Sequence, residues 1–180
     1  MQLRNTSQSY GLVARFLHWS MFLLIGLTTF LALNMEAMSE ADKALTEGVH
    51  RSIGVLILVL LVLRFAWKLG NPQPVDPPGP AWMNMAAHLV HWLIYCIILL
   101  QAVAGIVMSQ AGGDAVSLFD VFTLPVLVSP DPDVQEAWEE VHETNWIILW
   151  VLIVGHVMAA LHHHFGDRDD VFSRMWIDPR

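Results

Sequence analysis

Apolar residues form four long runs along the chain, at about residues 12–34, 49–69, 83–109 and 142–165. Each run is long enough to cross a bilayer, since about 20 residues of helix span the hydrocarbon layer. The runs are continuous and do not alternate with polar positions, so they predict helices and not the strands of a membrane barrel. The pattern therefore predicts an all-α integral membrane protein, a four-helix bundle that forms a single domain over residues 1–180.

The polar connections between these runs differ in character. Residues 70–81 contain five prolines and predict a stiff, extended link, because proline cannot continue a helix. Residues 34–48 and 110–141 form the two connections on the opposite side, and the second of them is rich in Asp and Glu. Within it, residues 117–128 are apolar but too few to span, so we expect them to cap the bundle at the outer interface.

Lysine and arginine are divided unequally between the two ends of the predicted bundle. Four spans place both termini on one face, which carries Arg4, Arg15, Arg64, Lys68, Arg168, Arg174 and Arg180. Only Lys43 and Arg51 belong to the other face. The positive-inside rule therefore predicts cytoplasmic termini. Arg51 lies near one end of the second run and Arg64 and Lys68 near the other, positions from which long side chains can reach the headgroups.

Composition supports the membrane assignment and narrows the chemistry. The chain is 55% hydrophobic and only 14% charged, which is too apolar for an ordinary soluble domain. A single cysteine, Cys96, excludes a thiolate zinc site, a thiolate iron–sulfur cluster and a Cys-x-x-Cys-His haem attachment. Any metal must be held mainly by nitrogen or oxygen ligands. Nucleic acid is not among the expected partners.

Histidine is the unusual residue type of this sequence. All nine histidines fall in or at the ends of the predicted spans: His18, His50, His88, His91, His142, His156, His162, His163 and His164. An ionisable ring at bilayer depth costs free energy, so it is a functional candidate by default. One isolated histidine would fit a hydrogen-bonded structural ring equally well, but nine over four spans favour a function.

The spacing of the histidines sorts them into two levels. His142 and His156 are fourteen residues apart, so they share one helix face and stand about 21 Å apart along its axis. Helix direction places His50 at the level of His142 on the outer side, and His18 at the level of His156 on the inner side. Opposed imidazoles at one height suit a planar cofactor such as haem, with an axial ligand on each face. Periodicity alone leaves the inner pairing open, because His163 shares the face of His156.

Small residues at six positions within the runs could make room for such a cofactor: Gly26, Gly54, Gly105, Gly155, Ala159 and Ala160. At the end of the fourth run, His162, His163 and His164 favour a solvated basic end. Residues 167–170 favour a solvated tail.

Five segments together resemble the bacterial cytochrome b561 family: "RFLHW" (15–19), "VHRSIGVLILVLLVLRFAWKL" (49–69), "AAHLVHWLIY" (86–95), "WEEVHETNWIILWVLIVGHVMAAL" (138–161) and "HHFGDRD…RM" (163–175). The resemblance implies a dihaem cytochrome b of the bacterial inner membrane, related to the cytochrome b subunits of nickel–iron hydrogenases. It implies two non-covalent b haems with bis-histidine ligation. The family's axial ligands correspond to His18, His50, His142 and His156, which favours His156 over His163.

The resemblance also implies quinone as a redox partner, and the most similar members are superoxide oxidases, which pass electrons from superoxide to ubiquinone. An acidic outer surface would repel superoxide, but Arg51, beside His50, could attract it or pair with a haem propionate. A plain interfacial anchor is the alternative role for Arg51. Arg15 could hold an inner propionate, or could serve only the positive-inside distribution.

One face of the third run is a candidate quinone site. His88, His91 and Tyr95 are spaced i, i+3 and i+7 near the cytoplasmic end, where they could bind a quinone head group or relay protons. The alternatives are an interfacial polar cluster or a contact to a haem propionate.

Three functions are compatible with these features. The first is an enzyme, superoxide:ubiquinone oxidoreductase. The second is an electron-carrier subunit that links quinone to a separate dehydrogenase or other redox partner protein, with the acidic outer loop as docking surface. The third, a histidine-relay metal transporter, is disfavoured because the histidine pairs lie at two separate heights and the spans lack intramembrane carboxylates for a coupled cation path.

Overall fold

The computed structural model describes residues 2–176, and Arg180 lies outside them. The elements follow in the order α1 (Leu12–Asn34), a 3-10 turn (Met35–Ala37), α2 (Glu40–Leu69), α3 (Ala81–Ala111), β1 (Ser117–Leu118), β2 (Phe122–Thr123), α4 (Pro132–His162), a π-helical turn (His163–Asp167) and α5 (Val171–Trp176). Helix α1 packs along α2, α2 along α3, and α3 along α4. Helices α1 to α4 are all long and apolar enough to cross a membrane, which confirms the predicted bundle.

Two groups of connecting segments lie at opposite ends of the bundle. We call the end that carries residues 2–11, 70–80 and 163–176 the terminal end. The end that carries residues 35–39 and 112–131 is the cap end.

Helices α2 and α4 begin nine and ten residues earlier than the apolar runs predict, at Glu40 and Pro132. Ser39 caps α2 by accepting a hydrogen bond from the Asp42 amide at 3.3 Å. Asp131 caps α4 by accepting from the amides of Asp133 and Val134. These side chains satisfy amides that a first turn leaves unpaired, so each helix continues in polar sequence beyond its apolar run. The predicted starts at 49 and 142 were therefore wrong.

The centre of the bundle is filled by aliphatic side chains from all four long helices: Met21, Ile25, Ile53, Ile57, Leu61, Ile98, Leu149 and Ile153. The outward faces are also apolar, and Leu23 and Val151 are 67% and 68% exposed. Such faces suit a hydrocarbon surround, where apolar side chains carry no hydration cost. In the centre, the Trp150 indole on α4 donates to the Thr29 hydroxyl on α1 at 3.0 Å.

The cap end is closed by a small hairpin over α2. Strands β1 and β2 pair antiparallel, with Ser117 opposite Thr123. The Ser52 hydroxyl on α2 donates to the Ser117 carbonyl at 3.1 Å and accepts from the Phe119 amide at 3.1 Å. The expected cap is thus a hydrogen-bonded hairpin that covers α2 two residues beyond His50.

The terminal end joins two segments that are distant in sequence. The buried Asn5 side chain donates to the Pro72 carbonyl at 3.0 Å and accepts from the Gly11 amide at 2.9 Å. A Cβ at position 11 would clash with the carbonyls of Leu3 and Arg4, so glycine permits this close approach. Burial raises the pKa of the nearby Tyr10 hydroxyl, which stays protonated at neutral pH. The proline-rich link therefore lies against the N-terminal segment instead of extending freely.

Candidate functional site

His50 on α2 and His142 on α4 face each other near the cap end. Their ring centres are 6.3 Å apart and their planes are inclined by 70°. The Nδ1 atom of His50 lies 3.1 Å from the Thr28 carbonyl oxygen, and that of His142 lies 3.1 Å from the Gln101 carbonyl oxygen. A carbonyl can only accept, so both Nδ1 atoms carry the hydrogen and both Nε2 atoms keep a lone pair. The hydrogen bond at Nδ1 therefore orients each ring of this cap-end pair and leaves its Nε2 lone pair available to bind a metal.

His18 on α1 and His156 on α4 form a second pair near the terminal end. Their ring centres are 6.1 Å apart and their planes are inclined by 79°. On α4, His156 follows His142 by fourteen residues, so the two pairs stand about 21 Å apart along that helix. The structure thus brings together both pairs that helix direction and spacing predict.

Arg64 distinguishes the terminal-end pair from the cap-end pair. Its Nη1 lies 2.7 Å from Nδ1 of His18, and its Nε donates to the Tyr95 hydroxyl at 3.0 Å. The sequence places Arg64 where its side chain could reach the headgroups, but in the structure its guanidinium contacts His18 on α1 and Tyr95 on α3. A guanidinium only donates, so His18 accepts at Nδ1 and its hydrogen lies on Nε2. Metal binding through Nε2 would require Arg64 to change partner or the ring to lose that proton.

The donor set and its spacing fit a bis-histidine haem. An imidazole nitrogen lies about 1.1 Å from its ring centre and about 2.0 Å from a bound metal, so two rings across one metal have centres about 6.2 Å apart. The observed separations of 6.1 and 6.3 Å match this value. A Cβ added at Gly26, Gly54 or Gly155 would meet no atom within 4 Å, so these glycines border open space.

Comparison with known proteins supports the same assignment. The family model described as "Prokaryotic cytochrome b561" matches residues 9–177. The chain belongs to the prokaryotic cytochrome b561 family. Membership implies b-type haem binding, electron transfer in the membrane and quinone as a partner.

Individual relatives cover almost the whole chain. "Cytochrome b561 homolog 2" of Escherichia coli (strain K12) is 29% identical over 97% of this chain and 95% of its own length. "Cytochrome b561 homolog 1" of the same strain is 29% identical over 89% of this chain and 92% of its own length. "Probable superoxide oxidase CybB" of Yersinia pestis is 26% identical over 88% of this chain and 90% of its own length.

In this cytochrome b561-family chain, the three candidate quinone residues, His88, His91 and Tyr95, do not share one site. The His91 ring lies 5.1 Å from the ring of His156, and the Tyr95 hydroxyl accepts from Arg64. The Nε2 atom of His88 lies instead 3.1 Å from the Asp76 carboxylate, in the exposed proline-rich link. His91 and Tyr95 therefore border the terminal-end pair, whereas His88 faces the link.

The candidate cations near the histidine pairs have defined positions. Arg51 follows His50 on α2 and forms an ion pair with Asp114, and 24% of its side chain is exposed. Arg15 lies on α1 one turn before His18. Sequence reasoning missed Asp114 as a partner because 63 residues separate it from Arg51.

The chain after His156 differs from the predicted solvated end. The Nδ1 atom of His163 lies 2.5 Å from the Asp169 carboxylate, and Arg174 forms an ion pair with Asp170 at 2.8 Å. The interpretation of residues 167–170 as a solvated tail was therefore wrong for Asp169, whose side chain is 23% exposed, whereas Asp170 stays about half exposed in its ion pair. His163 therefore contacts Asp167 and Asp169, whereas the ring that lies opposite His18 is that of His156.

Gly105 on α3 allows a test of the cap-end pair. A Cβ at this position would lie 3.2 Å from Cε1 of His142, so Gly105→Ala should press on this candidate ligand ring. Overpacking costs about 1–3 kcal/mol, so we expect haem to leave the cap-end pair about tenfold faster or more when apo-myoglobin is added as an acceptor. Gly48→Ala is the matched control, because a Cβ there meets nothing within 4 Å. Equal loss rates in the two variants would contradict this role for Gly105.

Proposed function

We propose that the chain is a dihaem cytochrome b in which His50 with His142, and His18 with His156, each ligate one b haem. The observation that carries the proposal is the presence of two imidazole pairs with ring centres 6.3 and 6.1 Å apart, at two levels of a four-helix bundle. A bound haem would supply a one-electron iron couple at each level.

The bundle is oriented with its terminal end in the cytoplasm of the bacterial inner membrane. Cations gather at this end within the described residues, apart from Arg64, which turns toward His18: Arg4, Arg15, Lys68, Arg168 and Arg174. The cap end has Lys43 and Arg51. The positive-inside rule then places the cap-end pair toward the periplasm.

The function is that of a superoxide:ubiquinone oxidoreductase. Two superoxide anions each lose one electron and become dioxygen, while one ubiquinone takes up the two electrons and two protons and becomes ubiquinol. Superoxide is a small anion that crosses hydrocarbon poorly, so it would react at the cap end. The relative from Yersinia pestis, whose name includes superoxide oxidase, supports this choice of donor.

Arg51 provides the positive charge at the cap end. It lies beside the ligand His50, and its exposed quarter is open to a small anion. Asp114 fixes the guanidinium near the end of α3 but also opposes its charge. Attraction of superoxide therefore depends on the balance between these two side chains.

At the terminal end, His91 and Tyr95 would bind the quinone and supply protons. Both lie on α3 beside the His156 and Arg64 side chains, so a quinone oxygen placed there would meet imidazole and phenol donors. The exposed His88 and Asp76 pair lies about one turn of α3 closer to the cytoplasm. It can pass protons from solvent toward His91.

A stopped-flow experiment tests this function. Oxidised purified protein in detergent is mixed with potassium superoxide, and haem reduction is followed at the α band, with and without a water-soluble ubiquinone. We expect superoxide to reduce the haem within the time window that the stopped-flow instrument resolves. The haem should then be reoxidised only when quinone is present. Superoxide pre-treated with superoxide dismutase is the control and should leave the haem oxidised.

The same experiment distinguishes the electron-carrier alternative. Haem that is reduced by quinol but not by superoxide would contradict the superoxide reaction and favour a carrier that receives electrons from a separate redox protein. Haem that is reduced by superoxide but is not reoxidised by quinone would contradict the proposed acceptor.

A further inference from the structure

Four metal-ligating side chains converge just beyond the last turn of α4, apart from both histidine pairs. The Nδ1 atom of His163 lies 2.5 Å from a carboxylate oxygen of Asp169 and 3.4 Å from one of Asp167. The Nδ1 atom of His162 lies 3.3 Å from the same oxygen of Asp167. We call these four residues the His–Asp cluster. Two neighbouring imidazoles thus share the Asp167 carboxylate, and His163 also contacts that of Asp169.

An unusual backbone brings these side chains together. Residues His163–Asp167 form a π-helical turn, a rare form that occurs often at functional sites. Arg168 then adopts the left-handed conformation, with φ of 55° and ψ of 34°, which is uncommon for a residue other than glycine. This reversal lets the Asp169 amide donate to the His163 carbonyl at 3.1 Å, and it returns the Asp169 side chain to the imidazole.

Gly166 lies close to the ring of His162 within this turn. A Cβ there would lie 3.3 Å from Nε2 of His162, so the glycine leaves room for the ring of His162 to fold over the turn. The side chains of His163 and Asp169 are only 24% and 23% exposed. The cluster is therefore enclosed on the side of His163 and Asp169, while the side chains of His162 and Asp167 are 68% and 44% exposed.

We propose that the His–Asp cluster binds one divalent transition-metal ion of the Zn²⁺ class. One ligand atom each from His163, Asp167 and Asp169 lie within 4.8 Å of one another. Ligand atoms around a tetrahedral Zn²⁺ are about 3.3 Å apart at bond lengths of about 2.0 Å, so binding needs small adjustments. His162, whose Nδ1 lies 3.3 Å from the Asp167 carboxylate, is the candidate fourth ligand.

The ligand types decide the class of ion. Imidazole nitrogen favours Zn²⁺ and similar metals, whereas Mg²⁺ and Ca²⁺ prefer oxygen ligands throughout. The two carboxylates balance the charge of a divalent ion. Neighbouring groups are already engaged, because Asp170 pairs with Arg174, and the His164 ring packs on Phe165 and Phe172.

Zinc titration of the purified haem-loaded protein tests the proposal. The protein is first treated with a chelator, and Zn²⁺ is then added in competition with a chromophoric chelator, in the presence of excess Mg²⁺. We expect one tight equivalent in the wild type. His163→Gln and Asp169→Asn should each weaken it at least about tenfold, since loss of even an indirect partner of a metal ligand costs about 10- to 100-fold.

The variants are chosen to preserve the fold. Asp169 also accepts from the Val171 amide at 3.0 Å through Oδ1, and asparagine can keep that contact. His88→Gln is the matched control, because His88 has one carboxylate partner at the same end of the bundle, and it should bind Zn²⁺ as the wild type does. An unchanged haem spectrum checks that each variant is folded.

X-ray absorption at the zinc edge gives an independent measurement. We expect nitrogen and oxygen neighbours, with the imidazole scattering reduced in His163→Gln. The proposal is overturned if the wild type takes up no tight equivalent, if His163→Gln and Asp169→Asn bind as tightly as the wild type, or if His88→Gln loses the ion to the same extent. Haem reduction by superoxide is not used in this test, so its result is independent of the proposed function.

Discussion

The variant His142→Ala should hold one haem per chain instead of two, and the haem that remains should be the one at the terminal end. His156→Ala should also hold one, at the cap end. Each substitution removes one proposed axial ligand of one pair, and the other pair lies about 21 Å away along α4, too far to be disturbed directly. The pyridine haemochrome assay gives the haem concentration of the purified protein, and dividing it by the protein concentration gives the number of haems per chain.

Spectroscopy should show which haem is lost. The cap-end histidines donate from Nδ1 to carbonyl oxygens, whereas His18 lies against the Arg64 guanidinium. The hydrogen-bonding of axial ligands tunes a haem, so the two centres should differ in potential and each variant should remove a different component of the redox titration.

Two further variants complete the haem test. His164→Ala is the control and should retain both haems, because its ring packs on Phe165 and Phe172. His163→Ala tests the alternative inner ligand that periodicity left open, and it should also retain both. If His163→Ala loses a haem and His156→Ala keeps two, then His163 and not His156 ligates the inner haem. Two haems in both His142→Ala and His156→Ala would refute the assigned pairs.

Opposite changes in superoxide reactivity are expected from the two partners of one ion pair. Arg51→Gln should slow haem reduction by superoxide, and Asp114→Asn should accelerate it, each by about tenfold at low salt. The first variant removes the local positive charge, and the second leaves it uncompensated. Stopped-flow rates at equal superoxide concentration measure both effects.

The pair of variants separates electrostatic attraction from a structural role. Both substitutions break the same contact between α2 and the segment after α3, so a structural role would change the two rates in the same direction. The difference between the variants should shrink as ionic strength rises, because salt screens exposed charges. Equal rates at low salt, with both haems present, would contradict the role proposed for Arg51.

The sequence alone determined the number of membrane helices and the levels of the histidine pairs. Both follow from one-dimensional properties, because about 20 apolar residues are needed to span the hydrocarbon and fourteen residues return a helix to nearly the same face. His50 with His142 and His18 with His156 could therefore be matched by height before any contact was known.

The polar parts of the chain were harder to predict, because their partners are distant in sequence. Helices α2 and α4 extend beyond their apolar runs, since Ser39 and Asp131 cap turns that hydropathy does not register. Arg64 has the sequence pattern of an interfacial anchor, yet it turns toward His18 and Tyr95, which are 46 and 31 residues away.

Tertiary structure also decided the fate of the charged C-terminal segment. Its composition indicates a solvated tail, but a π-helical turn and a left-handed Arg168 direct Asp169 onto His163. Hydrophobic burial depends on residue type and spacing, which can be read along the chain. Hydrogen bonds and ion pairs depend on the position and direction of individual atoms, and only the packed helices and their connecting turns fix these.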